Sequence, residues 1–214
     1  MSTTAIPDQR NLRVLPWLVA VGLFMENLDI SILNTAVPTI AEDLGTSALS
    51  LKAVLTTYTL ALAVFIPISG WMADRYGTRR IFRMAVALFT IGSLLCGLSQ
   101  NLPMLVASRF LQGVGGAMMT PVGRIALIRA YPRSQMLAMM NFVVIPALIA
   151  PLLGPFIGGF MVHWLPWQTI FFVNLPIGIV GWWMIRRYMP DHVDRGVAPL
   201  DGLGMLLFGA GIAL

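Results

Sequence analysis

Three ionisable side chains, Glu26, Asp29 and Arg109, sit inside apolar runs long enough to cross a bilayer. A lone charge in hydrocarbon costs several kcal/mol, so such residues face an interior cavity and find partners there. Glu26 and Asp29 are three apart and share one face of a helix. Counting back from Pro38 puts Asp29 about 13 Å from the outer end of its span, and Arg109 enters the fourth span to a depth of about 8 Å from the same side. A long arginine side chain can bridge that difference. Two readings follow: a static structural ion pair, or a carboxylate that binds and releases a proton as a cavity opens to each side.

A second group lies between the second and third apolar runs, Gly70-Trp71-Met72-Ala73-Asp74-Arg75-Tyr76-Gly77-Thr78-Arg79-Arg80. Two helices must turn sharply here, and Gly77 allows backbone angles closed to other residues. Asp74 at the C-terminal end of a helix has the wrong sign for that helix's dipole, so it needs an arginine or a neighbouring helix N-terminus as partner. The plainer alternative is a solvated basic turn that only sets topology.

Arg109-Phe110-Leu111-Gln112-Gly113-Val114-Gly115-Gly116-Ala117 is not a phosphate loop, because no Gly-Lys-Ser/Thr follows it. Gly113 and Ala117 supply a small-xxx-small helix contact, as do Gly154 and Gly158 in Pro151-Leu152-Leu153-Gly154-Pro155-Phe156-Ile157-Gly158-Gly159, where Pro151 and Pro155 add kinks. Packing alone would also account for this segment. Cys96, the single cysteine, lies in an apolar run, so an intramolecular disulfide or a cysteine metal site is excluded. His163 sits between apolar residues near Trp164 and Trp167, reads as a surface histidine in an interfacial aromatic belt, and gives no reason to expect a metal.

The elements that must position these groups follow from composition. The chain is 57% hydrophobic and only 11% charged, against roughly 25% charged in a soluble domain. Six spans are expected, over residues 14–38, 53–73, 81–98, 104–127, 136–162 and 170–185. A seventh begins near Gly202 and has about 13 residues, or about 20 Å of helix, too short to cross. The expected organisation is a tail over 1–13, a six-span bundle over 14–188, a connection over 189–200 and an interrupted span over 201–214.

Arginines gather before the first span (Arg10, Arg13) and at the second (Arg75, Arg79, Arg80, Arg83), fourth (Arg129, Arg133) and sixth (Arg186, Arg187, Arg195) connections. The first, third and fifth connections carry none, holding instead Glu42, Asp43 and Lys52, then Ser99, Gln100 and Asn101, then His163. Basic residues translocate poorly, so the even-numbered connections and the N-terminus are expected to be cytoplasmic. The net charge of +5 is thereby explained by topology rather than by nucleic acid, which is not an expected partner.

At these segments the sequence resembles the major facilitator superfamily, and within it the fourteen-span drug:proton antiporters of the EmrB/QacA type. Residues 70–80 match the superfamily's signature between spans two and three. Arg109 with Gln112 and Gly113 matches the span-four motif linked to proton coupling. Residues 154–159 match the core of the span-five antiporter motif, residues 28–38 the span-one motif, and Trp167 with Phe171-Phe172-Val173-Asn174-Leu175-Pro176-Ile177-Gly178 the span-six segment. Departures are Ala150 where the antiporter motif opens with glycine, Gln168 where an arginine usually follows the tryptophan, and Glu26, an additional carboxylate that suits cationic substrates.

The resemblance implies an all-α polytopic fold, present here as an N-terminal half, with alternating access between two six-helix halves around a midplane cavity. It implies proton coupling through Asp29, Glu26, Arg109 and Gln112, and a cytoplasmic gate built from Gly70, Asp74, Arg75, Gly77, Arg79 and Arg80. Pro151, Gly154, Pro155, Gly158 and Gly159 would limit leak. Asn34 and Asn141 are candidate cavity residues, together with Asn27 and Gln112. The expected activity is export of hydrophobic or cationic small molecules from a bacterial inner membrane. A proton gradient is its energy source, no cofactor is expected, and the expected partners are lipid, substrate, protons and a C-terminal half. A sugar or metabolite carrier of the same superfamily would need more polar residues facing the cavity. A membrane-embedded enzyme would need a catalytic dyad or metal cluster that two histidines and one cysteine do not supply. A non-transporting truncated subunit is the remaining alternative.

Overall fold

The computed structural model describes residues 9–191, 193, 204 and 211. The seventh span and most of the connection before it therefore lie outside the described residues, as does the first part of the tail. Among the described residues seven helices follow in order: α1 (Gln9–Asp43), α2 (Ala48–Tyr76), α3 (Thr78–Gly97), α4 (Leu102–Ala130), α5 (Arg133–Trp164), the short α6 (Thr169–Phe172) and α7 (Asn174–Tyr188). Most run past the apolar stretches that announced them, because a helix continues into the interfacial region until a turn signal stops it. α1, at 35 residues, would be about 52 Å long, well beyond the ~30 Å hydrocarbon core.

The stops are chemical. Ser47 Oγ accepts from Ser50 N–H at 3.0 Å to start α2, and Asn101 Oδ1 accepts from Met104 N–H at 2.9 Å to start α4. Each satisfies one of the orphan donors of a helix N-terminus. Gly77 ends α2 and opens α3 with φ +96°, a conformation that side chains with a Cβ rarely adopt.

The hydrogen-bond ladder of the sixth span is interrupted, although its backbone stays helical. α6 and α7 join at Val173, whose φ of −56° and ψ of −34° are those of an α-helix. Pro176 has no N–H to give the Phe172 carbonyl four residues earlier, so one rung of the ladder is missing at this point.

Among the described residues, five segments are long and apolar enough to cross a membrane, the α6–α7 pair counting as one. α4 falls short by hydropathy although it has 29 residues, because Arg109, Gln112, Arg124 and a run of glycines dilute it. That composition suits its place. α4 packs against α3, α2 and α1, while α5 lies along α1 and α7 packs on α3 and α1. Glycines let the backbones approach. A Cβ on Gly113 would stand 2.7 Å from Ala61 Cβ on α2, and one on Gly115 would stand 2.5 Å from Phe89 N on α3. Neither leaves room for a side chain.

Two clusters of buried apolar side chains form the core. One, around Phe82, Phe89 and Met119, fills the end that carries the even-numbered connections. The other, around Ile32, Leu105 and Phe171, fills the opposite end. The charged residues lie at the level between them.

Candidate functional site

Asp29 is the meeting point of four helices. Arg109 Nη1 on α4 donates to Asp29 Oδ2 at 2.5 Å. Gln112 Nε2, one turn further along α4, donates to Asp29 Oδ1 at 2.9 Å. Asn174 Nδ2, the first residue of α7, donates to the same oxygen at 2.8 Å. Ser93 Oγ on α3 accepts from Gln112 Nε2 at 2.6 Å and from Asn174 Nδ2 at 3.0 Å. Arg109 is 0% exposed and Asp29 4%. The pairing expected from depth along the chain is therefore present.

Local structure explains how these groups converge. Arg109 and Gln112 are three apart on α4 and point the same way, so that Arg109 Nη1 also donates to Gln112 Oε1 at 2.6 Å. Gly92 allows the approach, since a Cβ there would stand 2.6 Å from Gln112 Cα. Asn174, the first residue of α7, reaches the carboxylate from the sixth span. On the other side the Arg109 guanidinium lies over the Tyr58 ring of α2, 4.2 Å from its centroid. Nε and Nη2 of Arg109 have no hydrogen-bond partner among the described residues. The ring's negative face supplies the attraction those edges lack.

Glu26, 8% exposed, lies one turn from Asp29 on the same side of α1 and accepts from Thr120 Oγ1 of α4 at 2.9 Å. The two carboxylates thus share a face, as their spacing predicts, but hold different partners on the same helix.

The arrangement has a definite chemical consequence. Every group touching Asp29 donates to it, and the one cation in the cluster balances the one carboxylate bonded to it. A proton on Asp29 would take away an acceptor site and leave Arg109 as a buried charge without compensation, a situation worth about 3–5 kcal/mol in buried pairs that lose one partner.

The residues between α2 and α3 separate into distinct contacts. Asp74 accepts from Arg129 Nη2 at the end of α4 at 2.6 Å, which supplies the partner its place at a helix C-terminus demands. Arg79 instead contacts Asp191, through its backbone N–H at 3.2 Å and its guanidinium at 3.5 Å. Arg75 lies over the Trp71 ring at 5.7 Å, and Arg80 is exposed. Gly70 is not a point of close approach, because a Cβ there would meet only Ile125 at 3.9 Å. These contacts gather the even-numbered connections at one end of the bundle.

At the other end Trp167 Nε1 donates to Asp43 Oδ2 at 2.6 Å. Trp167 is 2% exposed while Trp164 is 69% exposed. Only Trp164 can belong to an interfacial belt; Trp167 is a buried tie between α1 and the start of the sixth span.

The glycine–proline segment of α5 faces α1. A Cβ on Gly154 would collide with the Ser31 side chain, and one on Gly158 would stand 3.1 Å from Ile32 O, but one on Gly159 would meet nothing within 4 Å. Pro155 cannot donate to the Pro151 carbonyl within the helix, and Ser31 Oγ takes over, donating to Pro151 O at 3.0 Å. Asn34 on α1 and Asn141 on α5 are exposed and are not neighbours. Phe142 stacks edge-on against Trp17, which sets Asn141 level with the beginning of α1, about 25 Å along the helix from Asn34.

Sequence reasoning left out Asn174, Ser93, Thr120, Tyr58 and Ser31 as site residues. Neutral polar side chains in apolar runs resemble ordinary packing residues, so type alone gave no signal. Depth did: Ser93, Arg109 and Asn174 all lie about 6–8 Å inside the expected ends of their spans.

An all-helical bundle that crosses the membrane several times, with an ion pair buried where four helices meet, defines a polytopic membrane protein with a charged centre. The chain belongs to the Major Facilitator Superfamily, whose family model matches residues 19–212. It is 47% identical over 211 residues to a protein of Salmonella typhimurium provisionally named multidrug resistance protein MdtD, a match covering 99% of this chain and 44% of that protein. The chain thus spans less than half the length of the curated relatives it matches, a proportion that fits one half of such a carrier. Solved structures share the fold at low identity. The peptide transporter POT in complex with sulfate superposes with TM-score 0.72 at 15% identity, over 94% of this chain and 44% of that one. The human organic anion transporter MFSD10 does so with TM-score 0.69 at 15% identity, over 94% and 54%.

Proposed function

We propose that this chain is the N-terminal six-span half of a proton-coupled antiporter of the fourteen-span drug:proton group, exporting hydrophobic or cationic small molecules by alternating access with a C-terminal half. The observation that carries the reading is the buried Asp29–Arg109 pair with its donors from α4 and α7, two of which also donate to Ser93 of α3. A carboxylate whose protonation unbalances the packing of four helices can convert a proton gradient into a change of packing. The name given to the Salmonella relative supports the substrate class, and the additional carboxylate Glu26 favours cations within it.

In this reading Asp29 carries the proton, Arg109 and Gln112 hold it in register, and Glu26 meets the substrate's positive charge. Asp74 with Arg129 closes the cytoplasmic gate, and Gly70, Arg75, Gly77, Arg79 and Arg80 shape that turn. Pro151, Gly154, Pro155 and Gly158 seal α5 against α1, Gly159 lies outside that contact, and Asn34 and Asn141 face the cavity between the halves. The protein acts as a transporter and not as an enzyme, in a bacterial inner membrane with its N-terminus cytoplasmic and the proton gradient as its energy source.

The test is reconstitution of the full carrier that contains this chain into proteoliposomes loaded with a fluorescent lipophilic cation. An imposed pH gradient should drive dye movement that an uncoupler abolishes. Movement that ignores the gradient would rule out proton coupling.

A further inference from the structure

Four arginines converge at the end of the bundle where α3 begins and α7 stops. Arg79, Arg80 and Arg83 from α3 and Arg186 from α7 line a cavity of about 320 Å³ together with Asp191. Asp191 pairs with Arg79 alone. Arg80, Arg83 and Arg186 have no carboxylate within ion-pair distance among the described residues. Like charges held this close repel one another, so the cavity favours an anion.

Continuing along the same seam, one turn beyond Arg83, the chemistry changes. Ala87, Thr90 and Ile91 of α3 and Gly178, Ile179 and Trp182 of α7 line an apolar groove of about 200 Å³. Ile91 and Ile179 on its rim are exposed, on helices that are long and apolar enough to cross a membrane. Its floor is low because Gly178 lies directly against Thr90 and has no room for a Cβ. Arg83 joins the two compartments, its guanidinium 5.5 Å from the centre of the Trp182 ring that walls the groove.

We propose that the α3/α7 seam is a binding site for an anionic phospholipid, the phosphate in the arginine cavity and an acyl chain in the groove. Basic pockets between membrane helices at the cytoplasmic surface suit anionic head groups, and the orientation proposed above puts this end in that leaflet. A free anion would use only the cavity and would leave the groove without a role. The site runs along the α3–α7 seam, its groove stopping about one turn short of Ser93 and Asn174, and does not depend on what the carrier exports. Because Asp191 and Arg79 border both this cavity and the α2–α3 turn, a bound lipid would brace that turn from outside the bundle.

The experiment is native mass spectrometry of the full carrier, purified in detergent and titrated with phosphatidylglycerol or phosphatidylcholine. Phosphatidylglycerol should be retained in preference to phosphatidylcholine. Arg186→Gln should weaken its retention about fivefold, and Arg83→Gln with Arg186→Gln about thirtyfold, taking each arginine near the surface at its usual contribution, with phosphatidylcholine unaffected. Arg186 is exposed and makes no described ion pair, so the single variant serves if the double variant does not fold. Equal retention of the two lipids, or retention unchanged in both variants, would overturn the proposal. Displacement of phosphatidylglycerol by millimolar inorganic phosphate would assign the cavity to a free anion and overturn it as well.

Discussion

Asn174 donates its side-chain amide to Asp29 Oδ1 at 2.8 Å across a separation of 145 residues, so the carboxylate of the first span is held in part by the first residue of the last described helix. The same amide reaches Ser93 Oγ, and through it α3. One neutral side chain thereby ties the α7 end of the bundle to the ion pair.

Asn174→Ala should therefore act on stability and on transport together. It removes a donor to a buried carboxylate and leaves Ser93 with one partner fewer. The expected cost is about 1.5–3 kcal/mol for a bond to a charged group, read as a lower unfolding temperature of the purified carrier, and gradient-driven export should fall with it. An alanine variant with unchanged stability and export would mean that the bond is incidental.

The α1–α5 contact predicts opposite behaviour at two glycines five residues apart. Gly154→Ala forces a methyl into Ser31 and should destabilise by about 1–3 kcal/mol, the usual range for overpacking. Gly159→Ala meets open space within this chain and should gain up to about 1 kcal/mol of helix propensity instead. Thermal unfolding of the two variants in detergent decides the point, and equal losses would show that Gly159 packs against something outside these helices.

Ser31→Ala should cost about 1 kcal/mol, because it leaves the Pro151 carbonyl without the donor that replaces the one Pro155 lacks. Ser31→Thr keeps a hydroxyl and should restore most of the loss, unless its extra methyl is refused by Gly154. Comparison of unfolding temperatures across the three proteins separates the hydrogen bond from the packing.

Asp74 and Arg129 are partly exposed, with side chains 35% and 28% accessible. A pair of that kind contributes about 0–1 kcal/mol, so Asp74→Asn should scarcely move the unfolding temperature. If the pair is a gate, the same substitution should still change the labelling rate of cysteines introduced on the two sides of the cavity. Unaltered labelling on both sides would remove the gate assignment.

How much of this was legible beforehand depended on the kind of signal. The spans could be read because apolar length is a property of one segment at a time, and Asp29 with Arg109 because charge in such a segment is rare and costly. Asp74 announced a missing partner by its place at a helix end, although nothing near it in sequence singled out Arg129. Trp167 was misread because an aromatic at the end of a span looks the same whether it meets lipid or is buried with its N–H on a carboxylate. Its partner Asp43 is 124 residues away. Ser31 was hidden for a similar reason, since its importance comes from a proline on another helix. The missing rung in the ladder of the sixth span was written in Pro176, which has no N–H to supply it.

The most direct measurement for the whole account is proton release on substrate binding. The purified full carrier, in weakly buffered detergent solution with a pH indicator, would be mixed with a lipophilic cation, and the same would be done with Asp29→Asn. The account predicts proton release by the native protein and none by the variant, with Glu26→Gln weakening cation binding while leaving Asp29 able to release its proton. Equal release from the native protein and Asp29→Asn would contradict it, because the proton would then come from a group other than the carboxylate at the meeting point of the four helices.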